Sequence, residues 1–166
     1  MDINQTPAAL QPASTETRQE EWLGILAEHA KYEAFRARIR SFLMNMDTML
    51  QSLQINSRIA GPDTDPGKAM VALSQEMFDK TRKMEKGVLV LNKIYTEIDL
   101  RRPLIEAHLG LRAESAAGSL VETHVALDHL KQFGIGNALL KRMWDSLMAC
   151  SRRGQGYLRM ARNQVR

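Results

Sequence analysis

Cysteine is nearly absent: Cys150 stands alone among 166 residues, so neither an internal disulfide nor a zinc site built on cysteine pairs can form. Aromatic residues make up only 5% of the chain, which argues against a core of large rings. No apolar run exceeds the five residues of 69-AMVAL-73, with 88-VLVL-91 among the next longest, far short of a bilayer span. Proline is equally sparse, and none occurs between Pro12 and Pro62. Sustained apolar–polar alternation is missing, so nothing predicts a strand. The first residues, MDINQTPAALQPASTE, have neither a basic start nor an apolar middle, which excludes a Sec signal peptide and predicts cytoplasmic synthesis. Their polar, Pro- and Thr-containing composition is similar to the unstructured export signals of type III secretion substrates, which leaves a non-Sec export route open.

What is abundant points to helices. The chain is 44% apolar and 25% charged, with ten methionines, and Leu, Ala and Met rank high in helix propensity. The segment 35-FRARIRSFLMNMDTMLQSL-53 places Phe35, Ile39, Phe42, Met46, Met49 and Leu53 at alternating spacings of four and three, the seam of a helix. A helix is expected over 16–58, its acidic start at Glu16, Glu20 and Glu21 matching the helix dipole. The segment 61-GPDTDPG-67 punctuates the chain, with Gly61 as a C-terminal cap and Asp65 as an N-cap before Pro66. A second helix is expected to about Arg101, its seam of Met70, Leu73 and Met77 interrupted at Lys80 and resuming at Met84, Val88, Leu91, Tyr95 and Ile98.

The expected fold is therefore all-α: a long antiparallel α-hairpin of coiled-coil type over 16–102, with a smaller C-terminal helical subdomain over 103–153. Residues 1–15 are expected to form a flexible tail and 154–166 a separate basic segment. Pro103 should end or kink the arm, and Ser119 with Glu122 makes a capping box for a helix to about Gln132. The glycines of 133-FGIGN-137 read as a turn before a helix over 138–152.

Candidate chemistry is thin. His124 and Asp128 share a helix face, and Cys150 lies among Lys141, Arg142, Arg152 and Arg153, but no base neighbours the thiol in sequence and no Glu-x-x-His pair occurs. The glycine pattern fits neither the dinucleotide fingerprint nor the Walker loop. Most carboxylates stand four residues from a Lys or Arg, as Glu76 does from Lys80 and Asp79 from Lys83, which is how a solvated face reads. No cofactor, metal ligand set or catalytic group is assigned, and the chain is expected not to be an enzyme.

Two features remain. Arms of about 60 Å and about 50 Å carry more apolar surface than short helices can sheathe, so a protein partner, a second copy or an assembly subunit, is expected on Phe35, Ile39, Phe42, Leu43, Met44 and Leu50. The charge is also lopsided. The total is +4, yet residues 1–140 hold 16 basic and 18 acidic groups, whereas 141–166 hold seven basic groups and one acid, Asp145. Arg152, Arg153, Arg159, Arg162 and Arg166 are the expected contacts for a nucleic acid or another anionic partner, on a segment that orders when bound. The function expected is that of a structural or adaptor subunit acting through helix–helix packing, in a setting such as secretion, phage or conjugation machinery, with a nucleic-acid-associated protein as the alternative.

Overall fold

The computed structural model describes residues 14–111 and 127–164. The described residues are almost wholly helical. Helix α1 spans Thr15–Ala60, α2 spans Asp65–His108 and α3 spans Gln132–Gln164, the last preceded by a short helical turn at 127–130. At about 1.5 Å per residue the three are about 69, 66 and 50 Å long.

The ends of the first two helices follow from local chemistry. Ser14 caps α1 by accepting from the Thr17 N–H, and Gly61, at φ 100°, closes it with its N–H on the Ser57 carbonyl. Thr64, rather than the expected Asp65, caps α2: its hydroxyl oxygen accepts from the Gly67 N–H at 3.1 Å, leaving Asp65 and Pro66 in the first turn. Contacts then run backwards along α2 as α1 advances. Trp22 donates to Glu106, His29 stacks on Tyr95, and the Tyr32 hydroxyl donates to Asn92 at 2.7 Å. The two helices are antiparallel.

Helix α2 passes through Pro103 without ending. The proline lies on the exposed side, where water can satisfy the carbonyl it leaves unpaired, while buried Ile105 and Glu106 hold the last turn to the core. The gap in the α2 seam at Lys80 is filled one residue later. Thr81 is buried, its hydroxyl donating to the Met77 carbonyl at 2.7 Å, so a polar residue completes the stripe.

The largest departure from expectation is α3. The glycines of 133-FGIGN-137 do not form a turn but lie in the first two turns of a continuous helix that also runs through Gly154 and Gly156 and past the expected boundary at 153/154. Two of them are sites of close approach. A Cβ on Gly136 would stand 2.7 Å from Leu91 of α2, and one on Gly154 would stand 3.0 Å from the Met49 sulfur of α1. Helix α3 thus settles into the groove between α1 and α2. Its Phe133, Leu140, Leu147 and Cys150 join Trp22, Tyr32, Leu53, Met77, Met84 and Ile98 in one core. Tyr157 and Leu158 pack against that core too, so the basic end of the chain is helical as far as Gln164 without a partner. The described residues form a three-helix bundle, up, down and up. The tail before residue 14 and the helix expected from Ser119 lie outside the described residues.

Candidate interaction surfaces

The third helix changes what the first leaves open. Of the residues expected to meet a partner, Ile39, Phe42 and Leu50 are buried within this chain, and Phe35 and Leu43 are half-buried. The cover expected from another molecule is here supplied by α3: the Trp144 ring stacks on Phe42 with centroids 3.6 Å apart and tilts against Phe35 at 5.0 Å. Only Met44 is open, at 62% exposure.

Beside Trp144 a groove of about 570 Å³ runs between α1 and α3. Phe35 and Trp144 form its apolar wall, and the Arg38 guanidinium lies 5.5 Å from the Trp144 ring centroid. Its rim carries both signs of charge, with Lys31, Arg38 and Lys141 against Glu28 and Asp145. Glu28 is already engaged: it accepts from Asn137 at 2.9 Å and pairs with Lys31 at 3.2 Å. Burial pushes the Glu28 carboxyl up, but the Asn137 and Lys31 contacts outweigh it and hold the group below its ordinary value. The lining residues include no nucleophile–base pair.

Cys150 is buried, with Lys80 Nζ at 3.6 Å and Arg153 Nη2 at 3.3 Å from its sulfur. Those cations belong to an ion-pair cluster across the α2–α3 interface, in which Lys80 and Arg153 both bind Glu76, at 2.9 and 3.0 Å. The Lys80 hydrogen bond, supported by Arg153, holds the Glu76 carboxyl below the ordinary carboxylate value. The cluster therefore stabilises the fold above the unfolded-state pKa of glutamate, and that contribution is lost as pH falls through the lowered folded value. Because Glu76 is 39% exposed, the effect is well under about 1 kcal/mol. Urea titrations below about pH 4.5 should show the fall in the unfolding midpoint made shallower by Glu76→Gln; identical acid slopes would contradict this.

Asp128 is exposed and pairs with Lys131, and His129 faces Glu97. His124 lies outside the described residues. Among the described residues no group of three or more His, Cys, Asp or Glu could hold a metal ion. No described helix is long and apolar enough to cross a membrane. Of the basic set, Arg153 is committed to Glu76, whereas Arg152, Arg159 and Arg162 are exposed along α3. Arg166 lies outside the described residues.

The outward face of α1 is the least expected surface. Leu23, Ala27, Ala30, Ala34, Ala37, Ser41, Asn45, Thr48, Ser52, Ile55 and Ile59 follow one another at spacings of three and four, within a band about 80° wide on the helix. All are exposed except half-buried Ser52, and none is charged. Leu23, Ile55 and Ile59 are 57%, 56% and 71% exposed, and Met44 borders the same band. Lys31 and Arg38 flank it on the α3 side, Glu33, Arg40 and Asp47 on the α2 side.

The other outward faces differ. That of α2 carries Val71, Phe78, Leu89 and Leu100, but with Arg82, Lys86 and Lys93 among them; that of α3 carries Arg142, Asp145, Arg152 and Arg153. The α1 band escapes a search for large apolar residues because eight of its eleven residues are alanine or small and polar. The absence of charge along one helical line was the signal available in the sequence. No protein-family model matches the chain, and neither a curated protein nor a solved structure matches it.

Proposed function

We propose that this protein is a non-enzymatic structural or adaptor subunit that acts through helix–helix packing, with the outward face of α1 as its docking surface. One observation carries this reading: a line about 54 Å long on the exposed side of α1 bears no charge, where a solvated helix ordinarily carries Lys and Glu. Alanines at Ala27, Ala30, Ala34 and Ala37 let a second backbone approach closely, while Leu23, Ile55 and Ile59 supply apolar area at the ends. Met44 is the one residue of the originally expected partner set that borders this face in the open.

The test separates docking from folding. Ala34→Glu on an exposed helical position should change stability by no more than about 0.5 kcal/mol. In extracts of the source cells at native abundance, the wild-type protein should elute well above the size of an 18.8 kDa monomer, and Ala34→Glu should move it to monomer size with unchanged helicity. A wild-type protein that elutes as a monomer overturns the proposal.

A further inference from the structure

We infer that the crevice between α2 and α3 docks on an anionic lipid surface, with a phosphate-bearing headgroup seated between Lys83 and Arg142. This site is separate from the outward face of α1, so the two stand or fall independently.

Two glycines bring the helices together here. A Cβ on Gly87 would stand 3.0 Å from Leu140, and one on Gly136 would stand 2.7 Å from Leu91, so α2 and α3 run close and antiparallel over this stretch. Beside that contact, Lys83, Lys86, Val90 and Lys93 follow at spacings of three and four on α2, and Ile135, Leu139 and Arg142 do the same on α3. All of them are exposed. A pocket of about 320 Å³ opens between the two lines, with Lys80, Lys83 and Arg142 around it and Leu139 and Met143 as its apolar wall.

The charge of this face is uncompensated. Lys80 is held by Glu76, but Lys83, Lys86, Lys93 and Arg142 pair with no carboxylate among the described residues. The neighbouring acids are engaged or turned away. Glu97 faces His129, Asp79 accepts from Gln75, and Asp145 lines the groove between α1 and α3 instead. Glu85 stands about 200° around α2 from Lys83. Four free cations within about 15 Å along the bundle call for an anionic partner.

The apolar residues among those cations choose which anion. Val90, Ile135 and Leu139 are 57%, 66% and 43% exposed. A sugar–phosphate backbone gives aliphatic side chains nothing to bury, and neither line carries an aromatic ring for base stacking. A free phosphate would use the cations alone. At a bilayer interface both kinds of residue find partners: the aliphatic ones enter the headgroup region, while Lys and Arg reach lipid phosphates on their long stems.

Vesicle flotation of the purified full chain tests this, with phosphatidylglycerol mixed into phosphatidylcholine compared against phosphatidylcholine alone. Binding is expected to the mixed vesicles only, and should weaken as salt is raised. Arg142→Glu and Lys141→Glu make the same charge change at adjacent positions, one on this crevice and the other on the α1–α3 groove. Arg142→Glu should lower the partition coefficient at least about 10-fold and Lys141→Glu less than about 3-fold. Ile135→Ser/Leu139→Ser should lower it at least about 5-fold with the salt dependence kept. Every position altered is exposed, so circular dichroism should show unchanged helicity. Failure to bind the mixed vesicles, or equal losses from Arg142→Glu and Lys141→Glu, overturns the inference. Release from vesicles by an equal concentration of soluble glycerol phosphate overturns it in favour of a free phosphate. Duplex DNA binding that Arg142→Glu abolishes and Ile135→Ser/Leu139→Ser leaves intact overturns it in favour of a nucleic acid.

Discussion

Phe133→Ala should lower the free energy of unfolding by about 3–5 kcal/mol, the cost of removing a large buried ring and leaving a cavity behind. Phe133 is fully buried, its ring standing edge-on to Tyr32 at 5.4 Å between centroids and tilted against His29 at 6.4 Å. These three rings come from α1 and α3, and Tyr95 of α2 stacks on His29 at 4.1 Å, so one site ties all three helices together. The measurement is urea denaturation followed by circular dichroism. The result also decides what α3 does. If residues 133–137 were a solvent-facing turn, the same substitution would change stability by no more than about 0.5 kcal/mol. A large loss with an unchanged dependence on urea supports a single cooperative bundle.

The second large effect concerns Gly67 and is notable for its sign. In a helix, Gly→Ala ordinarily stabilises by about 0.5–1 kcal/mol, because alanine has less backbone freedom to lose. Gly156, with nothing within 4 Å of its would-be Cβ, should behave in that way. Gly67 should do the opposite. Its Cβ would collide with the carbonyl oxygen of Gly61, and that oxygen also accepts from Thr64, so neither group can retreat without opening the turn. We expect Gly67→Ala to destabilise by about 1–3 kcal/mol, the usual cost of overpacking against backbone. Thermal unfolding of the two variants side by side tests this. A stabilised Gly67→Ala protein would mean that the turn between α1 and α2 is wider than described.

The proposed docking face and the bundle depend on one another through α3. While α3 lies in the groove, Phe42 and Leu50 are unavailable, and the long uncharged surface left among the described residues is on the far side of α1. On the proposed reading, the adaptor keeps Phe42 and Leu50 inside and offers partners a shallow face of alanine and small polar residues with Leu23, Ile55 and Ile59 at its ends. Such a face contributes little desolvation per residue, so its affinity depends on length and fit. On that reading a single charge at Ala34 should matter more than truncation of any one side chain.

Periodicity and composition determined that the chain is helical, that the first two helices are long, and that they part within 61–67, where the structure puts the break at 61–64; these are local properties, set by spacing, propensity and capping. Of the four seam methionines expected in the core, Met77 and Met84 are fully buried and Met46 nearly so, whereas Met49 is only half-buried at its edge. Tertiary packing alone decided the fate of the glycines in 133-FGIGN-137 and of Gly154. In isolation a glycine disfavours a helix, and only the proximity of Leu91 and Met49 turns that cost into a means of close packing. Packing likewise carried α2 through Pro103, whose lost hydrogen bond falls on the solvent side while Ile105 is buried on the other. It also decided which half of α1 is covered. Phe35, Phe42 and Leu50 looked exposed because nothing in a one-dimensional pattern shows that residues a hundred positions later will lie against them. The uncharged line from Leu23 to Ile59 became a candidate surface only once α2 and α3 were seen to occupy the other side of the helix, because a stripe of alanine and small polar residues has no meaning until its exposure is known.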